Sequence, residues 1–96
     1  MPEALLRPKA QADLDAIWDY TVGAWGYEQA EKYLRALNQA FETLAEKPEL
    51  GRIYDEVHEG LRVYPSGRHL IFYFATDGGI EVARVLHERM DIASHL

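Results

Sequence analysis

The stretch GYEQAEKYLRALNQAFETLAEKP, residues 26–48, decides the fold of this chain. Its apolar residues recur every three or four positions, the spacing that places side chains on one face of an α-helix. They form one continuous stripe: Ala30, Tyr33, Leu34, Leu37, Ala40, Phe41, Leu44 and Ala45. Glu28 near the start and Lys47 near the end suit the helix dipole, and Pro48 stops the helix. The stretch therefore predicts a long amphipathic helix that buries one face.

A second amphipathic helix precedes this one. Pro8 fits the first position of a helix, where its missing N–H costs nothing. The apolar positions that follow share one face: Leu14, Ile17, Trp18, Thr21, Val22 and Trp25. Gly23 and Gly26 mark the end of this helix. Because only a short turn separates the two helices, we expect them to pack antiparallel, with Trp18 and Trp25 in the core.

The remaining segments have the pattern of strands and turns. Strands are predicted at residues 4–7, 61–64, 70–74 and 80–86, turns at 65–67 and 77–79, a polar connection at 48–59 and a short polar tail at 87–96 that ends in a helical turn. The predicted class is α+β, with element order β-α-α-β-β-β in one domain over residues 1–96. The helical hairpin packs on one face of a small, mainly antiparallel sheet.

The predicted strand at 70–74 is apolar on both faces, although the helical hairpin can cover only one. We therefore expect the far face of the sheet to be bare and reserved for another polypeptide, the alternative being a C-terminal tail that folds back over it. Strand alternation places Arg62 and Tyr64 on one face. It places Arg84 with Val82, and His87 on the opposite side.

Composition excludes several classes of function. The chain has 16 acidic and 10 basic residues, and its net charge of −6 counts against nucleic acid as the main ligand. It has no cysteine, which excludes disulfides and thiol chemistry. Its longest apolar run, residues 70–75, is too short to cross a membrane, and its first residues lack a secretory signal. We expect a cytoplasmic protein with one locally basic strip at residues 60–76, which contains Arg62, Arg68 and His69 but no acid.

Candidate catalytic groups are few. Ser66 and Ser94 lie in a turn and near the chain end, the ligand-rich segment 55–59 is typical of a solvated loop, and we expect no metal and no cofactor. General acid–base cleavage of RNA is the one chemistry that the residues support. It would use basic residues on adjoining strands: Arg62, Arg68, His69, Arg84, His87 and Arg89. Alternatively, these side chains pair with carboxylates of this chain or of a partner.

Five segments in order along the chain resemble one known family. They are AQADLDAI at 10–17, WGYEQA at 25–30, LAEKPELG at 44–51, RHLIFY at 68–73 and RVLHERMD at 84–91, the last being the most specific. With the predicted element order, they resemble the RelE/ParE superfamily of bacterial type II toxin–antitoxin systems, and its ParE branch in particular.

The resemblance implies a toxin that is not an enzyme, inhibits DNA gyrase and is neutralised by a ParD-like antitoxin. The RelE branch instead cleaves mRNA on the ribosome, and this chain departs from its pattern. The sequence LRVY at 61–64 replaces a lysine-rich strand, His69 aligns with a strand arginine, and no tyrosine follows Tyr73. Two alternatives remain open: a ribosome-dependent endoribonuclease using Arg62, Arg68, His69 and His87, or a non-toxic binding module with the same fold.

Protein partners are expected on the far face and the basic strip, with no direct contact to nucleic acid or membrane. The predicted contact residues are Arg62, Tyr64, Arg68, Phe72, Phe74, Arg84, His87, Arg89 and Met90. The arginines would bond to carboxylates of an acidic antitoxin. The short tail at 87–96 is a candidate for the surface that contacts the target.

Overall fold

The computed structural model describes residues 1–96 and confirms the α+β class. The helices are α1 (Pro8–Trp25), α2 (Tyr27–Glu46) and α3 (Ile92–His95), and the strands are β1 (Glu3–Leu6), β2 (Arg52–Ile53), β3 (Leu61–Ser66), β4 (His69–Thr76) and β5 (Gly79–His87), with a 3₁₀ turn at Pro48–Leu50. No helix combines the length and the apolar character that crossing a membrane would require.

The five strands form one sheet in the order β1-β5-β4-β3-β2, in which only the β1–β5 pair is parallel. The predicted meander of three C-terminal strands is confirmed. Two details differ from the sequence prediction. The two-residue strand β2 pairs with β3 inside the segment predicted to be a polar connection, and it is too short to show alternation. The strand β3 continues through Pro65 to Ser66, because Pro65 needs no N–H where no strand pairs with its outer side.

The helical hairpin packs on one face of the sheet, as its apolar stripes predict. The buried residues of this core include Leu14, Ile17, Leu37, Phe41 and Leu44 from the helices and Ile71, Tyr73, Ile80, Val82 and Val85 from the sheet. Burying these side chains is the main stabilising contribution to the fold, at about 1.5–3 kcal/mol for each large apolar side chain.

The prediction that Trp25 is buried in the core is wrong. Its side chain is 72% exposed, and the last buried residue of α1 is Thr21. Trp18 is half-buried, with its ring edge against Tyr27 at a centroid distance of 5.2 Å. The helical period correctly identifies the buried face of α1, but it carries no information on where the sheet beneath that face ends.

The prediction of a bare far face is also wrong at the centre of the sheet. Four of its residues form a second buried cluster: Leu61, Val63, Phe72 and Leu86. Tyr54 and Val57 from the loop between β2 and β3 pack against this cluster, as does Ile92 from α3. The alternative, a tail that folds back, is therefore partly right, and a loop completes the cover.

A β-bulge in β5 corrects the predicted side of Arg84. Tyr73 pairs with Val82, whereas the preceding Phe72 pairs with Arg84, so that Ala83 has no residue opposite it in β4. The extra residue places Arg84 and Val82 on different faces, although period-2 alternation predicted one face for both.

Arg84 also bonds to the first helix. Nε and Nη2 of Arg84 each donate to a carboxylate oxygen of Asp13 at 2.8 Å, and the backbone N–H of Val85 donates to the same carboxylate at 2.9 Å. Nη1 of Arg84 donates to the carbonyl of His95. Hydrogen bonding to Asp13 raises the pKa of Arg84. This one ion pair therefore ties α1, β5 and the C-terminal turn together.

A second polar junction fixes the 3₁₀ turn to the sheet. The hydroxyl of Tyr73 donates to the carbonyl of Pro48 at 2.6 Å and accepts the N–H of Gly51 at 2.8 Å. Position 51 must be glycine, because a Cβ there would collide with the Tyr73 ring. Nη1 of Arg62 donates to the carbonyl of Gly51 at 2.7 Å, and burial raises the pKa of the Tyr73 hydroxyl.

Replacing Tyr73 by phenylalanine is expected to destabilise the fold by about 1–3 kcal/mol, because the buried N–H of Gly51 loses its acceptor. Urea unfolding followed by tryptophan fluorescence measures the change. Tyr64→Phe removes a half-buried hydroxyl that makes neither bond, and it should change stability by less than about 0.5 kcal/mol. Equal midpoints for the two variants would show that the junction contributes nothing.

Asp13→Asn is expected to lower the free energy of unfolding by roughly 2–3 kcal/mol, because it leaves the Arg84 guanidinium facing an uncharged amide. Both side chains keep some exposure, so the loss is smaller than for a fully buried ion pair. Thermal unfolding measures it, with the exposed neighbour Asp15→Asn as the control. An Asp13→Asn protein as stable as its control would mean that the pair is replaceable.

Candidate partner-binding surface

The residues predicted to contact partners do not form one site. Three of the nine, Arg68, His87 and Arg89, lie together where β4 begins and β5 ends. Tyr64 is half-buried and packs against the helix-facing core, and Met90 is 45% exposed in the segment that leads to α3. The remaining four are Arg62, Phe72, Phe74 and Arg84, which are held by contacts within the protein.

Two of these four cannot serve as proposed in the observed conformation. Phe72 is fully buried beneath Tyr54, whose ring lies 5.8 Å from it, so no partner can reach its side chain. Arg84 uses its guanidinium on Asp13 and on the His95 carbonyl, and only 18% of its side chain is exposed. Sequence reasoning found no partner for Arg84 because Asp13 lies 71 residues away in the chain.

Arg62 and Phe74 keep partial access. Arg62 is half-buried and bonded to the Gly51 carbonyl. Phe74 is half-buried, with the Arg7 guanidinium over its ring at 5.1 Å and the His58 ring at 5.2 Å. Because both side chains already make contacts within the protein, a partner would gain less binding free energy from them than from free side chains.

The basic corner consists of Arg68, His69, His87 and Arg89. His69 and His87 are directly opposite each other in the β4–β5 pair, with ring centroids 5.3 Å apart. Arg68 and Arg89 are exposed, and Arg68 has a single carboxylate nearby, Glu88 at 3.9 Å. An exposed pair at that distance is weak, so both guanidiniums are available to an incoming carboxylate.

Tyr33 of α2 orients the corner. Its hydroxyl accepts the N–H of Arg68 at 2.9 Å and shares a hydrogen bond with Nδ1 of His69 at 2.6 Å. Burial, reinforced by the charge of His87, lowers the pKa of His69. Sequence reasoning assigned Tyr33 only to the apolar stripe. The signal that it overlooked is a hydroxyl-bearing residue among leucines and alanines.

The far-face groove is an open depression of about 330 Å³ beside the buried far-face cluster. Leu50, Tyr54, Val63, Pro65, Leu70 and Ile92 provide most of its apolar lining. Arg52 lies at the groove with its guanidinium 5.2 Å from the Tyr54 ring, and Leu50 is 46% exposed. Sequence reasoning missed Leu50, Tyr54 and Ile92, because they lie in polar segments that show neither helical nor strand periodicity.

The groups of the ribonuclease alternative are only partly brought together. Arg68, His69 and His87 meet in the basic corner. Arg62 pairs with Tyr73, four residues along β4 from His69, which corresponds to about 13 Å at the usual strand rise. No group of three or more histidine or acidic side chains is arranged to hold a metal ion.

Known proteins share both the sequence and the fold. Residues 4–92 match the family described as the ParE toxin of the type II toxin–antitoxin system parDE. Toxin ParE1 of Mycobacterium tuberculosis is 48% identical over 93 residues, covering 96% of this chain and 95% of the relative. Toxin ParE1 of Caulobacter vibrioides is 41% identical over 91 residues, covering 95% and 94%.

A solved structure, the chromosomal ParDE system of P. aeruginosa, superposes with a TM-score of 0.75 over 91% of this chain and 96% of that one, at 24% identity. It confirms the fold. The resemblance seen in the sequence is confirmed by the family match and by both relatives, which span nearly the whole chain. The protein belongs to the ParE toxin family of type II toxin–antitoxin systems.

Proposed function

We propose that this chain is a cytoplasmic toxin that acts by protein–protein contact without catalysis, inhibits DNA gyrase and is neutralised by a ParD-like antitoxin. The far-face groove carries the proposal, because it is open, mostly apolar and bordered by the exposed Arg52, features typical of a site for a polypeptide. Membership of the ParE family supports the same reading.

The antitoxin would use the groove and the basic corner together. The segment 87–92 leads from His87 in the corner to Ile92 in the groove, so one bound chain can reach both. Its apolar side chains would fill the groove, and its carboxylates would bond to Arg68 and Arg89. The structural neighbours include a ParDE system and a YoeB–YefM complex, which supports an antitoxin as the occupant.

The endoribonuclease alternative has one observation in its favour, the convergence of Arg68, His69 and His87. The rest of the required set is missing. Arg62 lies away from these three residues and is bonded to the Gly51 carbonyl. No tyrosine follows Tyr73 in the chain to stack on a base. Transition-state stabilisation in phosphate cleavage needs several donors aimed at one point, and this arrangement supports it less well than it supports protein contact.

Purified toxin is expected to inhibit DNA supercoiling by gyrase and to increase cleaved DNA in the gyrase reaction, while leaving mRNA intact in a parallel translation reaction. Both reactions are run with the toxin alone and with the toxin bound to its antitoxin. Antitoxin should abolish the effect in either case. Cleaved mRNA with unaffected gyrase would replace the proposal with the endoribonuclease, and inactivity in both would indicate the non-toxic binding module.

Leu50→Glu is expected to weaken antitoxin binding by about 10- to 100-fold, because it places a charge in an apolar groove. Leu50 is exposed, so the fold should tolerate the change. Isothermal titration calorimetry measures the affinity. Ala36→Glu introduces the same charge on the solvent side of α2 and should bind like the parent protein. Unchanged affinity of Leu50→Glu would remove the groove from the antitoxin interface.

A further inference from the structure

The hairpin tip, residues 19–28, presents aromatic side chains to solvent. Tyr20, Trp25 and Tyr27 are 73%, 72% and 64% exposed, and no residue from 22 to 29 is buried. The tip therefore extends past the part of the hairpin that packs on the sheet. Three exposed aromatic side chains within ten residues at the end of a helical hairpin are more typical of a binding site than of a solvated helix end.

The tip is ordered by its own contacts and is open to a partner. The rings of Tyr27 and Trp18 are in a T-shaped contact, which fixes the position of Tyr27. A Cβ added at Gly23 or Gly26 would meet nothing within 4 Å, so another molecule can approach the backbone there. Two helices and a tight turn present these side chains without the entropy cost of ordering a flexible loop.

Charge indicates what kind of partner fits the tip. Between Lys9 and Lys32 the chain contains no basic residue and five acidic ones: Asp13, Asp15, Asp19, Glu28 and Glu31. Asp13 is paired with Arg84 and Glu31 with Arg35. The other three carboxylates are exposed and have no basic partner on the chain. Arginine satisfies both features of such a surface, since its guanidinium bonds to carboxylates and stacks on aromatic faces.

We propose that the hairpin tip docks a basic, arginine-bearing segment of the target protein. This surface is separate from the basic corner and the far-face groove, whose arginines suit an acidic antitoxin. The inference rests on the proposed function in one respect, that the toxin acts by contact with a protein target. It replaces the C-terminal tail with the hairpin tip as the target-contacting surface.

A peptide that alternates arginine with alanine, capped at both ends, is the probe for direct binding. Nuclear magnetic resonance of ¹⁵N-labelled full-length protein is expected to show shift changes centred on residues 15–31. The double variant Tyr20→Ser/Trp25→Ser keeps the net charge and should bind the peptide about tenfold more weakly. Leu5→Ser removes an exposed apolar side chain elsewhere and should bind normally. A peptide with glutamate in place of arginine should not bind.

Equal affinity of the double variant and the parent protein would overturn the proposal, because attraction to net charge alone would then explain the binding. Absence of binding, or shift changes centred outside the tip, would overturn it as well. Sedimentation velocity provides a further check. A parent protein that forms a dimer, which the double variant converts to a monomer, would assign the tip to self-association instead.

Growth of a bacterial host that lacks the antitoxin connects the tip to the target. The double variant should lose toxicity while its antitoxin affinity and unfolding midpoint match those of the parent. Full toxicity of this variant would overturn the tip as the target surface, even if gyrase is the target. A toxic parent that leaves gyrase unaffected, together with a non-toxic double variant, would instead reject gyrase and retain the tip.

Discussion

Burial of β4 on both sides is the constraint on which the rest of this structure depends. Ile71 and Tyr73 face the helices, Phe72 faces the opposite side, and all three are completely buried. A chain of 96 residues has few elements with which to cover two faces of a sheet. The helical hairpin covers one, and a loop and a single helical turn cover the other. The surfaces left for partners are consequently at the margins: a groove, a corner and a helix tip.

Structural elements that depend on a periodic pattern over many residues could be predicted from the sequence, whereas isolated contacts could not. The apolar stripe of α2 repeats over the whole helix, so the sequence predicted this helix, its buried face and its packing against α1. The cover of the far face depends on Tyr54, Val57 and Ile92, which lie in polar segments without helical or strand periodicity. Such residues have no pattern to detect, and their role depends on where the backbone carries them.

The same limit applies to charge. Seven arginines are present, and nothing in the sequence distinguishes those that hold the fold together from those that are free. Arg84 is committed to Asp13 and to the His95 carbonyl, and Arg62 is held by the carbonyl of Gly51, directly after the 3₁₀ turn. Arg68 and Arg89 are exposed because they lie at a turn and beyond the last strand. The basic strip of the sequence is therefore divided in space.

This division bears on the choice between catalysis and contact. A phosphate-cleaving site needs its cations aimed at one point, and here the structure has used two of them to join elements. What remains is a small corner of arginine and histidine on one part of the molecule and an acidic, aromatic hairpin tip on another. Surfaces of opposite charge would attract different partners and repel each other's, so each of the two proposed contacts would be specific. The proposed function asks for two protein contacts, one with an antitoxin and one with a target, and this segregation of charge would keep the two apart.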